Sequence, residues 1–100
     1  MVTNEQVKAG MEKHIGIYRQ IEKMGHSDGT KETVIKLIRE ICQDYGWNSL
    51  NTLLIVLARN GYISGIHLDG DSVLEPIKPK LTDKALKELK GREQFLKSME

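Results

Sequence analysis

The chain has almost nothing that fixes a structure covalently. It has one cysteine, Cys42, so no disulfide can form within it, and a reducing cytoplasmic setting is expected. Its longest apolar run, Leu53 to Ala58, is far too short to span a bilayer. The opening MVTNEQVKAG lacks the charged-then-apolar pattern of an export signal, so no export is expected, and with no spanning run no membrane partner is expected. There is no glycine-rich phosphate loop, no CxxC pair and no HExxH. The histidines, His14, His26 and His67, are scattered. His26, Ser27 and Asp28 are adjacent, whereas a hydrolase triad converges from separated points of the chain, so they read as turn chemistry. His67, Asp69 and Asp71 alternate through one hairpin, but turn formation accounts for the aspartates without a metal. Aromatic residues are only 5%, and Tyr45-Gly46-Trp47 reads as packing, not as a base-stacking platform. The expectation is a protein that is not an enzyme, with no cofactor, no metal and no small-molecule substrate.

What is present suits one small domain over residues 1–100. Hydrophobic residues are 39% and charged residues 29%, which is enough to fold and too apolar for disorder. The net charge of +1 is unevenly spread: residues 78–97 hold seven basic and three acidic residues, giving +4, so the remainder is −3. A basic end of this kind can meet phosphates, although interspersed charge also suits a solvated helix.

Hydrophobic spacing predicts four helices. The first covers 4–24, with Asn4 as N-cap, an apolar stripe through Val7, Met11, Ile15, Tyr18 and Ile21, and Gly25 as its stop. After a loop at 26–30, Thr30 is expected to cap a second helix over 31–45, whose apolar face runs Val34, Leu37, Ile38, Ile41, Cys42, Tyr45. Gly46 closes it, Trp47 lies in a turn, and Asn48 or Ser49 caps a third helix ending near Arg59, followed by a left-handed Gly61. Residues 62–68 and 72–75 read as two strands joined at Asp69-Gly70, with Pro76 and Pro79 limiting the return strand's pairing. Thr82 caps a fourth helix, which Leu86 and Leu89 pack back onto the core.

The Asn60-Gly61-Tyr62-Ile63 segment resembles the entry to a wing strand, and Pro79-Lys80-Leu81-Thr82-Asp83-Lys84-Ala85-Leu86 resembles its exit in many small bacterial regulators. Tyr62-Ile63-Ser64-Gly65-Ile66 with Leu81-Thr82-Asp83-Lys84-Ala85 is similar to the YjcQ-like proteins, small winged-helix proteins of Gram-positive bacteria and their prophages. The similarity covers about 50–89; it departs at Ala85, where glycine is common. It implies a mainly α fold with a small β-hairpin: a winged helix-turn-helix over 30–90, with residues 1–25 as an added N-terminal helix.

That resemblance implies a small DNA-binding regulator or accessory protein of bacterial or prophage type. Its third helix would present Asn48, Asn51, Thr52, Ile55 and Arg59 to double-stranded DNA, and Lys78, Lys80, Lys84 and Lys87 would meet phosphates. One arginine on that helix is a thin supply, and the acidic Asp69-Gly70-Asp71 tip repels phosphate. The competing expectation is a protein-interaction module or homodimer, with Val7, Met11, Ile15 and Tyr18 as the seam and with Trp47, Ile55 and Val56 as exposed apolar surface.

Overall fold

The computed structural model describes residues 2–99. Among them are four helices and two small antiparallel sheets: α1 Asn4–Gly25, α2 Lys31–Arg39, α3 Trp47–Arg59, β1 Ile63–Ser64, β2 His67–Asp69, β3 Ser72–Leu74, β4 Lys80–Leu81 and α4 Asp83–Ser98. The order is compatible with a winged-helix layout.

α1 starts one residue earlier than the Asn4 cap expected from sequence. Thr3 accepts from the Gln6 N–H while the Gln6 side chain accepts from the Thr3 N–H, a reciprocal capping box. Only the second half of α1 is deeply buried, at Tyr18, Gln20, Ile21 and Met24. Thr30 caps α2 as expected, accepting from the Thr33 N–H. α2 stops at Arg39, six residues short of the predicted end. Asp44, Tyr45 and Gly46 favour helix weakly, and Arg39 Nε donates to the Tyr45 carbonyl at 2.9 Å, closing the turn. Cys42 still reaches the core, as a buried free thiol.

α3 begins at Trp47, not after it. The Leu50 N–H already bonds the Gly46 carbonyl, so Gly46 is the N-cap and neither Asn48 nor Ser49 caps with its side chain. Gly61 has the expected positive φ of 77°. α4 runs through Gly91 from a Thr82 cap that accepts from the Ala85 N–H. Leu86 is 44% exposed, contrary to expectation; Ala85 and Leu89 are the buried residues there.

The hairpin is one excursion paired in two places. β1 pairs with β4, Ile63 opposite Leu81, and β2 pairs with β3, Leu68 opposite Val73. Asp69 faces Ser72, so the loop is Gly70-Asp71, one residue later than the Asp69-Gly70 turn read from sequence. Gly70 has φ 60° and Asp71 does not have positive φ, which matches a turn with glycine first.

The main core joins Ile21 and Met24 of α1, Val34 and Ile38 of α2, Leu50, Leu54 and Ile55 of α3, and Ile63, Val73 and Ile77 of the hairpin. Each such aliphatic side chain, fully buried, contributes about 1.5–3 kcal/mol. A second, smaller cluster of Tyr18, Ala85 and Leu89 holds α4 against α1. Ion pairs of Arg19 with Glu93 and contact of Arg92 with His14 tie the same two helices.

Candidate functional site

α3 is amphipathic against three neighbours, and this decides which of its side chains stay free. Leu50 and Leu54 point into the core. Ile55, expected to face outward, is 6% exposed and packs with the hairpin's Val73 in the same core. Asn51 lies one helical turn before Ile55, on the same face. Its Nδ2 donates to the Asp71 carbonyl at 2.7 Å, and its Oδ1 accepts from the Val73 N–H at 2.9 Å. Both ends of the amide therefore hold the hairpin tip to α3, so Asn51 faces the hairpin, not the solvent. Arg59, a turn beyond Ile55, reaches the Asp71 carboxylate at 3.4 Å. Both partners of that pair are largely exposed, so it is worth at most about 1 kcal/mol and leaves the guanidinium exchangeable.

The free edge of α3 is the adjacent row: Asn48, Ser49, Thr52, Val56 and Asn60 are exposed. The Thr52 hydroxyl donates to the Asn48 carbonyl, and Asn60 Nδ2 donates to the Val56 carbonyl. Val56, 49% exposed, is the apolar member of the row. Trp47 is partly buried, with Lys31 Nζ 4.7 Å from its ring centroid. Lys31, first residue of α2, is thus brought beside Trp47, the first residue of α3. Sequence reasoning missed Lys31, because the contact spans sixteen residues and depends on how α2 crosses α3.

The four lysines sit elsewhere. Lys78 and Lys80 line a groove of about 460 Å³ with Glu22, Gly25, His26 and Leu86, at the C-terminal end of α1. Cations are favourable at that end of a helix, where the carbonyls carry partial negative charge. Lys84 donates to the Asn60 carbonyl at 2.8 Å and stands 4.6 Å from the Tyr62 ring centroid. Twelve residues of helical rise put Asn60 about 18 Å from Asn48. Lys87 is exposed on α4. The eight residues read as one surface therefore spread over three places: Asn51 and Arg59 on the hairpin tip, Asn48 and Thr52 on the free edge of α3, and the lysines around the hairpin stem and α4, with Lys84 alone joined to the end of the α3 edge through Asn60.

The expected dimer seam also divides. Tyr18 is 7% exposed and packs with Ala85 and Leu89, and Ile15 packs against the same cluster. Those two positions are used inside the chain because α4 folds back over them, which corrects their reading as a seam. Val7 and Met11 are half-buried. Among the described residues no group of histidine, cysteine and carboxylate side chains is arranged to hold a metal ion. No helix of these residues is long and apolar enough to cross a membrane.

Between α1, α3 and α4 lies a polar cluster that the sequence did not reveal. Arg92 contacts His14 Nδ1 and donates to Glu88 at 3.2 Å. As an acceptor from Arg92, that ring nitrogen carries no proton. Burial, then the charges of Arg92 and Lys13, hold the His14 pKa below its ordinary value. The neighbouring Glu88 carboxylate, as an acceptor and a negative charge, raises the Tyr62 pKa, and burial followed by the Glu88 charge raises that of Tyr18. Compared with known proteins, the chain matches no family model, no curated protein and no solved structure.

Proposed function

We propose that this chain is a small winged helix-turn-helix protein that binds double-stranded DNA through the free edge of α3, as a regulator or accessory factor. The observation that carries the reading is the Asn51 clamp. It fixes the hairpin beside α3 as a wing while leaving Asn48, Ser49 and Thr52 uncovered. Short polar side chains on the exposed row of a helix preceded by a turn suit contact with base edges in the major groove. Lys31 at one end of the row and Arg59 at the other supply phosphate contacts. Asn51, assigned to base reading from sequence, becomes the residue that positions the wing. Lys78 and Lys80, beside the C-terminal end of α1, form a second basic surface, and Lys84, bonded to the Asn60 carbonyl, adjoins the far end of the α3 row.

The test is fluorescence anisotropy of a labelled random duplex at several salt concentrations. Micromolar binding that weakens steeply with salt is expected, and Lys31→Ala with Arg59→Ala should reduce the logarithmic salt slope by about two. Absence of binding at low salt overturns the reading. The same measurement on Lys78→Ala with Lys80→Ala decides whether the second surface belongs to the footprint: an unchanged slope removes it.

The second reading is a protein-interaction module with the same fold and no DNA binding. It is favoured by the exposed apolar residues Val56, Leu68 and Leu74 on α3 and the hairpin, and by the acidic Asp69 and Asp71 at the tip.

A further inference from the structure

The polar cluster between α1, α3 and α4 rims a cleft of about 430 Å³. That volume falls within the range of small-molecule sites. Its walls are aromatic and aliphatic: Tyr18, Tyr45 and Tyr62 with Ile17, Leu53 and Leu57. The protein has three tyrosines, and all of them line this one cleft, although they come from α1, the α2–α3 turn and the segment after α3. Flat aromatic walls favour a flat ring, through offset stacking and edge contacts.

The rim has an uncompensated charge. Lys13, Arg92 and Glu88 stand on it, and His14 is neutral in its contact with Arg92. Arg92 pairs with Glu88, but among the described residues Lys13 is in no ion pair. The rim therefore holds one net positive charge. The Arg92 guanidinium uses Nη1 on His14 and Nη2 on Glu88, leaving Nε–H and the remaining Nη hydrogens for a further acceptor.

From these features we infer that the cleft is a binding site for a small aromatic carboxylate, its ring held among Tyr18, Tyr62, Leu53 and Leu57 and its carboxylate on Lys13 and Arg92. A neutral ring would forgo the Lys13 and Arg92 donors at the rim, and an anion without a ring would leave the walls wet. Leu53 and Leu57 belong to α3, so an occupant bears directly on the inner side of that helix. The inference does not require that α3 binds DNA, and its test does not use DNA.

The experiment is titration of the ¹⁵N-labelled full chain, followed by amide correlation spectra, with indole-3-acetate as probe and with indole and acetate as controls. Indole-3-acetate should shift the amides of Leu53, Leu57 and Tyr62 with a dissociation constant of about 1 mM or tighter, as expected for a ligand of this size. Indole should bind about tenfold more weakly, and acetate should not shift these amides. Lys13 is exposed, so Lys13→Met keeps the fold, and it should weaken indole-3-acetate about tenfold without changing indole. Arg92→Lys provides a second variant that retains the rim charge; it should weaken the acid less than Lys13→Met does. The inference is overturned if these amides do not move, if acetate binds as well as indole-3-acetate, or if Lys13→Met binds the acid as the parent chain does.

Discussion

Asn51 is the side chain on which the hairpin's position depends. Its amide satisfies one carbonyl and one N–H of the hairpin tip, and Val73, whose N–H it accepts, is 5% exposed. Asn51→Ala leaves that N–H without an acceptor, and an unmet group of this kind costs about 2 kcal/mol. Urea denaturation should show a loss of that size with an unchanged slope. A loss under about 0.5 kcal/mol would mean that packing of Val73 and Ile77 alone seats the hairpin. Arg59→Ala breaks only an exposed ion pair at 3.4 Å, so its stability should stay within about 0.5 kcal/mol of the parent. This contrast assigns Asn51 to the scaffold and leaves Arg59 to the surface. From sequence the two had seemed alike, because helical spacing places both on one face and carries no information on what covers that face.

At the scale of elements, the apolar periods and the threonine caps of α2 and α4 were readable; the caps of α1 and α3 and the boundaries between neighbours were not. Thr30, Thr82 and Gly61 act locally, through hydrogen bonds or dihedrals within a few residues, so their roles followed from sequence. The end of α2 depends on Arg39 reaching the Tyr45 carbonyl, and the hairpin register on Asn51, twenty residues before Asp71. Leu86 was misplaced because helical spacing allows either it or Ala85 to face α1, and a close helix pair selects the smaller residue. Two glycines separate local propensity from tertiary fit. Gly10 lies in mid-helix, with nothing within 4 Å of where a Cβ would sit, so Gly10→Ala should raise stability by about 1 kcal/mol. Gly29 has φ 77°, and a Cβ there would stand 2.9 Å from Pro76 Cβ and 3.0 Å from the Ile77 nitrogen. Gly29→Ala should cost at least about 2 kcal/mol, combining left-handed strain with that crowding. Thermal unfolding of both variants checks the pair; equal effects would mean that the 26–30 loop relaxes freely.

For the whole molecule, the question is whether the long first helix belongs to the core or to a partner. Sequence alone left this open, since one apolar stripe serves either purpose; it also could not show that Lys78 and Lys80 line a groove at the end of α1 while Lys84 reaches Asn60 of α3, because that depends on how the hairpin stem stands against α1. In the structure, the stripe changes role along its length. Ile21 and Met24 are fully buried in the main core, Tyr18 is 7% exposed beneath α4, and Val7 and Met11 are only half-covered. A charged residue at position 18 must therefore unseat α4, whereas a lysine at position 7 can extend its ammonium past the partial cover into solvent. Tyr18→Glu should lose more than about 3 kcal/mol, through lost burial and an unpaired buried charge, and should unfold rather than yield a folded monomer. Val7→Lys should remain folded and cost less than about 1 kcal/mol. Circular dichroism with sedimentation velocity distinguishes the cases. A folded Tyr18→Glu chain of lower mass than the parent would show that the helix is an intermolecular seam after all. A folded Val7→Lys chain that alone changes mass would confine self-association to the N-terminal turns of α1, the part of the helix that α4 leaves half-covered.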